Sequence, residues 1–417
     1  GDVGSGKTVV AAMAAAQCID AGWQCALMAP TEILAEQHFR KLVGWLQPLL
    51  QTRGLSVAWL AGSVKGKTRK DMLERTASGQ AALVIGTHAV IQDQVRFARL
   101  GLALIDEQHR FGVAQRLALR HKLEGASEGE VPDRKRGDAH ATALEPHLLM
   151  MTATPIPRTL AMSYYADLAV STIDELPPGR TPIVTKVFAD NRREEIIHRI
   201  RDEAAGGRQV YWVCPLIEES EELDLQNATQ THEQLSSALP GMNVGLLHGR
   251  MAAAEKAAVM QAFSQGELQV LVATTVIEVG VDVPNASLMV IEHAERFGLA
   301  QLHQLRGRVG RGAVASVCVL MYTPPLSESG KARLRAMAQT QDGFEISRQD
   351  LEIRGPGEFM GARQSGDALL RFADLQADSA LLEHARKVAP RLLDEHPAAA
   401  AAQVQRWLAS RVEYLKA

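Results

Sequence analysis

Short apolar runs, continuous rather than alternating, recur through the first part of the chain: Cys25 to Ala29, Val57 to Leu60, Ala82 to Ile85, Leu102 to Ile105 and Leu148 to Met151. Strands that are apolar on both faces must be covered on both faces, and helix-type segments separate these runs. The pattern therefore predicts a parallel sheet between layers of helices. A second series follows at Ile183 to Val187, Val210 to Val213, Val244 to Leu247, Val270 to Ala273, Leu288 to Ile291 and Val317 to Met321, with helical patterns over Arg192 to Ala205 and Ala252 to Gln265. Between the two series stands Leu176-Pro-Pro-Gly-Arg-Thr-Pro182, whose prolines and glycine disfavour helix and strand alike. Past Leu370, apolar residues at helical spacing (Leu375, Leu381, Leu382, Val404, Trp407, Leu408, Val412) predict closing helices, expected to pack on the second lobe. The expected fold is α/β: a first lobe over 1–175, a linker over 176–182, a second lobe over 183–325, and a C-terminal portion over 326–417 that ends in helices.

Composition sharpens this only in places. At 417 residues the chain exceeds what one hydrophobic core serves, which agrees with two lobes. A net charge of −3 rules out a uniformly basic surface, so any contact with nucleic acid must be local. Cys18, Cys25, Cys214 and Cys318 have neither metal-ligand spacing nor a paired framework, and are expected to be buried thiols in a reducing compartment. The apolar run Val9 to Ala16 is too short to span a bilayer and follows glycines rather than a basic leader, so no membrane partner is expected. Residues 124–140 are polar, charged and aperiodic, an expected surface insertion; its Arg134-Lys-Arg136 is most simply a solvated charge run.

The chemistry begins at Gly1-Asp-Val-Gly-Ser-Gly-Lys7-Thr8, a full match to the phosphate-binding pattern G-x-x-x-x-G-K-[ST]. Gly1, Gly4 and Gly6 let successive N–H groups, Ser5 among them, converge on one anion, and the following helix aims its positive end at the same place. Lys7 is expected to reach the β- and γ-phosphates, and the Thr8 hydroxyl to ligate Mg²⁺. In such folds a buried strand precedes the loop, so chain upstream of Gly1 is expected. Asp106-Glu107 follows a buried run directly: Asp106 suits Mg²⁺ opposite Thr8, and Glu107 suits orienting and deprotonating a water. Thr31, Thr87, Thr152 and Thr154 also end strand-type runs, where hydroxyls and open backbone suit a sugar-phosphate chain, although each singly equals a helix cap.

The second lobe has no phosphate loop of its own. It offers Gln304-Leu-Arg306-Gly-Arg308-Val-Gly310-Arg311, in which Arg308 and Arg311 suit a fork onto a γ-phosphate. Glycines at 307 and 310 are poor choices for a merely salt-bridged surface helix. Thr274, Gly280 and Asp282 fall in a segment that suits contacts to ribose, phosphates or a nucleic-acid backbone; a strand followed by a capped turn accounts for it almost as well.

Taken in order, GSGKT, PTEILAEQH, GTHA, DEQHRFG, TATPIPRT, ATTVIEVGVDVP and QLHQLRGRVGRG resemble the motifs of superfamily 2 helicase motors. The resemblance implies two RecA-like lobes with ATP and Mg²⁺ as cofactors, Lys7 and Thr8 on phosphate and metal, Asp106 and Glu107 as metal and water residues, and Arg308 and Arg311 as arginine fingers. It implies that Gln304, His109, Thr152 and Thr154 couple nucleotide to DNA. The stretch from Asp342 through Arg354, Gly355-Pro-Gly357, Arg363, Gln364 and Gly366 resembles the translocation motif shared by RecG and the transcription-repair coupling factor, a helical hairpin and loop that steps along duplex. Pro155 to Met162, Tyr165 to Leu168 and Ser171 to Pro182 resemble the RecG family rather than the coupling factor. The family implies a helicase that remodels forks and Holliday junctions in recombination and repair. Its implied partners are branched double-stranded DNA and a single-stranded DNA-binding protein, with a monomeric state and a cytoplasmic, nucleoid-associated location in bacteria. An amino-terminal wedge domain, absent from these residues, completes the family pattern. The alternatives left by the sequence are the motor of a coupling factor and an ATP-gated DNA-binding protein that does not step.

Overall fold

A computed structural model describes residues 1–107, 146–153, 169–175, 181–215, 221–274, 283–310, 312, 314–354 and 379–408. By internal contacts the chain divides into two compact units, one of Gly1–Ser5 with Ala153–Lys387 and the other of Gly6–Thr152 with Val388–Ala417.

The Gly6–Thr152 unit is built on a sheet of β1 (Gln24–Met28), β2 (Ser56–Leu60), β3 (Ala81–Gly86), β4 (Leu100–Ile105) and β5 (His147–Met150). The strand order is β2-β3-β1-β4-β5 and every pairing is parallel. β1 and β3 are buried at every position, as continuous apolar runs require. Helix α1 (Lys7–Asp20) turns small residues and one isoleucine inward, Ala11, Ala12, Ala15 and Ile19. α2 (Glu32–Thr52) buries Ala35, His38, Leu42, Leu46 and Leu50, one polar side chain in an apolar stripe. α3 (Gly66–Ala77) covers β2. Leu27, Leu83, Ile85 and Leu104 are fully or almost fully buried, and each such side chain contributes about 1.5–3 kcal/mol.

The second sheet comprises β6 (Ile183–Ala189), β7 (Gln209–Val213), β8 (Val244–Leu247), β9 (Val270–Ala273), β10 (Ala286–Ile291) and β11 (Ser316–Tyr322), in the order β6-β11-β10-β7-β9-β8 and again all parallel. Alternate residues of β7 feed opposite cores: Tyr211 packs on Phe263 with ring centroids 4.8 Å apart, and Trp212 lies in the other layer with Ile196, Ile200 and Leu235. The helices here are α4 (Arg193–Ala205), α5 (Glu221–Ala238), α6 (Ala253–Ser264), α7 (Leu299–Arg306), α8 (Glu328–Gln339) and α9 (Gly343–Arg354).

The apolar runs of the sequence coincide with strands in both sheets. The closing helices form as α10 (Ser379–Glu395) and α11 (Pro397–Leu408). The expectation that they belong with the second lobe holds for Ser379–Lys387, the first half of α10, whereas the chain from Val388 groups with the first-sheet unit. Spacing shows that a helix has an apolar face; it carries nothing about which core receives that face. Linker residues 176–180 and the insertion 124–140 lie outside the described residues.

Candidate active site

The phosphate loop takes the backbone its glycines permit. Gly4 has φ of 74° and Gly6 of 97°, in the left-handed region that other residues enter at a cost of about 1–2 kcal/mol. Ser5 N–H donates to the Asp2 carbonyl at 3.2 Å, which closes the turn, and Gly6 caps α1 so that Lys7 and Thr8 are its first two residues. No acidic residue occupies the first turn, which leaves the positive helix end available to an anion. A side chain at Gly1 would meet Ser5 Oγ at 2.7 Å, and that hydroxyl is itself buried without a partner. Left-handed glycines, an unpartnered buried hydroxyl and a helix N-terminus fit a bound polyphosphate.

Asp106 lies in the same unit as Lys7, at the carboxyl end of β4, where its N–H donates to the Met28 carbonyl at 3.0 Å. Its Oδ2 is 2.7 Å from His38 Nε2, and its Oδ1 accepts from the Glu107 N–H at 3.0 Å. Burial pushes this carboxyl up. The His38 hydrogen bond and charge, the Lys7 charge and the Glu107 N–H together outweigh burial and hold the carboxyl below its ordinary 3.8. Asp106 is thus an ionised acceptor at neutral pH, the state a hard cation requires. Among the described residues there is no cluster of three or more His, Cys, Asp or Glu able to hold a metal alone. A nucleotide-bound Mg²⁺, held by one carboxylate, one hydroxyl and phosphates, needs none. Glu107 has φ of 51°, a conformation that a side chain other than glycine adopts at a cost and that clusters at functional positions.

Of the threonines, Thr31 caps α2, accepting from Leu34 N–H at 3.4 Å. Thr87, after β3, is buried with its hydroxyl unpartnered. Thr152 follows β5 and is half-buried. Thr274, after β9 in the other unit, repeats the Thr87 situation: buried, Oγ1 unpartnered, N–H on the Leu247 carbonyl at 3.1 Å.

In the second-sheet unit the expected arginine cluster divides. Arg306, the last residue of α7, is only 2% exposed. Its Nη1 donates to the carbonyls of Met337 and Thr340, both at 2.9 Å, and to Thr185 Oγ1 at 3.3 Å; its Nη2 donates to His303 Nδ1 at 3.0 Å and to the Gln341 carbonyl at 3.4 Å. Because His303 Nδ1 accepts, its Nε2 carries the proton it donates to Asp2 Oδ1 at 2.6 Å. Gln304 is buried beside this network and Arg308 is half-buried just past the helix. His109, Thr154, Gly280, Asp282, Arg311, Arg363, Gln364 and the side chain of Arg354 lie outside the described residues.

His38, His303 and Arg306 were not among the site residues expected from sequence. The signal for His38 was present: a histidine on the apolar stripe of α2 needs a buried partner. Nothing local distinguishes Arg306 from Arg308.

Three families match in tandem: DEAD/DEAH box helicase over residues 1–163, helicase conserved C-terminal domain over 191–313, and ATP-dependent DNA helicase RecG, domain 3, C-terminal, over 340–415. The chain is 56% identical over 418 residues to the ATP-dependent DNA helicase RecG of Escherichia coli (strain K12), a match covering 100% of this chain and 57% of that protein. It is 57% identical over 414 residues to the RecG of Acidithiobacillus ferridurans, covering 99% and 57%. The RecG of Bacillus subtilis (strain 168) is 51% identical over 394 residues, covering 94% and 54%. The chain therefore spans somewhat over half the length of these relatives. Among solved structures, RecG bound to a three-way DNA junction superposes with a TM-score of 0.68 at 41% identity, over 92% of this chain and 46% of that one. Dbp5 of S. cerevisiae bound to RNA and ADP BeF3, at TM-score 0.54 and 17% identity, shares the fold alone, over 85% of this chain and 82% of its own.

Proposed function

The chain belongs to the RecG family of ATP-dependent DNA helicases, and from that premise we propose that it is the ATP-driven motor of a double-stranded DNA translocase that remodels branched DNA, reversing forks and migrating Holliday junctions. The observation that carries the reading is the buried Asp106 carboxylate, directly after β4 and in the same unit as the glycine-capped start of α1 at Lys7. The family match over 340–415 favours this reading over a coupling-factor motor.

In this reading the loop N–H groups and Lys7 neutralise the β- and γ-phosphates, with Gly280 and Asp282 also on the nucleotide. Thr8 and Asp106 would hold Mg²⁺, which when bound offsets charge on the phosphates. Glu107 orients a water and takes its proton as the water oxygen bonds to the γ-phosphorus and the bond to ADP breaks. Arg308 and Arg311 are assigned to the charge developing on the transferred group, and Gln304, His109, Thr152 and Thr154 to coupling. Thr31, Thr87 and Thr274 are assigned to the DNA backbone, and Arg354, Arg363 and Gln364 to the stepping loop. A single-stranded DNA-binding protein as partner, a monomeric state and a cytoplasmic, nucleoid-associated location belong to the same proposal. No helix among the described residues is long and apolar enough to cross a membrane.

The test is Glu107→Gln. ATP binding should persist while steady-state hydrolysis on branched DNA falls by about 10²–10⁴, the usual contribution of a general base. Hydrolysis at the parent rate would contradict the assignment.

A further inference from the structure

His38 is used by no step above, yet its ring sits on the carboxylate at the centre of the site. α2 places it on the buried stripe between Ala35 and Leu42, only 5% exposed, and the partner it meets is Asp106 Oδ2 at 2.7 Å. We propose that His38 is a positioning residue for the metal-binding carboxylate of Asp106, a role that rests on the nucleotide-hydrolysing reading of this site.

A carboxylate offers about four lone-pair positions, and its terminal torsion is broad and roughly two-fold. In Asp106 both oxygens are engaged from protein donors on separate elements, Oδ2 by His38 from α2 and Oδ1 by the Glu107 N–H from the chain just beyond β4. Together these bonds hold the torsion, so the remaining lone pairs face one direction before any cation arrives. Partners of this kind orient metal-binding carboxylates, and their loss typically weakens metal binding 10–100-fold.

A packing role alone accounts poorly for the histidine. His38 Nδ1 is buried without a partner, a cost to stability that a leucine or methionine in the same stripe would avoid. The residue is explained by what Nε2 donates to. The hydrogen bond also gives the buried Asp106 carboxylate a protein donor in place of the water it loses.

The experiment uses the whole chain with a fluorescent, slowly hydrolysed ATP analogue, titrating Mg²⁺ and also measuring binding in EDTA. In His38→Leu the Mg²⁺ concentration at half-saturation should rise roughly 10–100-fold while binding in EDTA stays at the parent value. His38→Gln, whose amide supplies a donor of similar reach, should recover most of the loss. If His38→Leu does not melt cooperatively, His38→Asn, polar but too short to reach Asp106, should show the same Mg²⁺ shift. A parent Mg²⁺ midpoint in a folded His38→Leu or His38→Asn overturns the proposal, as does an equal loss of binding in EDTA, which would mark a structural role. A parent chain that binds no analogue under either condition overturns the nucleotide reading itself, and the proposal with it.

Discussion

His303 Nε2 stands 2.6 Å from Asp2 Oδ1, joining the opening residues of the phosphate loop to helix α7 within one compact unit. On its other side the same imidazole accepts from Arg306, whose remaining donors reach the end of α8 and the turn before α9. One buried guanidinium thus satisfies carbonyls that no helix partner serves, and fixes the tautomer of the histidine that holds Asp2.

Arg306→Ala should therefore destabilise the chain by on the order of 3 kcal/mol, because it strands buried carbonyls and leaves a void. Arg306→Lys should recover only part, since an ammonium cannot reproduce the planar fork. Urea denaturation followed by circular dichroism measures both; a midpoint unchanged in Arg306→Ala would show that the buried network contributes nothing.

Gly307→Ala is expected to cost about 1–3 kcal/mol, because the new Cβ would lie 2.8 Å from Val3 Cβ. Truncating Val3 should relieve the clash, so Val3→Ala combined with Gly307→Ala should be markedly less destabilised than the sum of the single changes. A double-mutant cycle on melting midpoints gives the coupling; strict additivity would count against the contact.

Asp106 sets a pH dependence. Its folded pKa lies below its ordinary value of 3.8, so its contribution to stability is fully present above that value and is lost as pH falls through the depressed folded value. From about pH 4 downward the parent should lose more stability than Asp106→Asn, which has no carboxyl to protonate. Urea midpoints across that range decide it; parallel losses would remove Asp106 from the acid response.

The cysteines should be inert in the folded chain. Burial pushes Cys18 up to about 11 and Cys318 up to about 12, and raises Cys25 and Cys214 well above the ordinary 9.0. Because the thiolate is the reactive form, a thiol-specific chromogenic reagent at pH 8 should label few thiols natively and all of them in denaturant. Fast native labelling of a buried thiol would contradict this.

How much was legible in the chain follows from which interactions are local. Strands such as Ala81–Gly86, covered on both faces, leave a continuous apolar run that spacing alone detects. The phosphate loop is equally local, since the left-handed turns at Gly4 and Gly6 depend on the residues at those positions. Arg306 was illegible because its role depends on carbonyls some thirty residues onward. Arginine side chains at 306 and 308 look alike until one is buried. His38 meets Asp106 across 68 positions, a distance at which its place on an apolar stripe signals a partner without naming one.

Displacement of a third strand from a linear triplex tests most directly the proposal that ATP hydrolysis by this chain drives stepping along duplex DNA. With ATP the chain should strip the third strand, and with a non-hydrolysable analogue, or with Glu107→Gln, it should not. Binding to the duplex without ATP-dependent displacement, alongside measurable ATP hydrolysis, would contradict the account and leave an ATP-gated DNA-binding protein in its place.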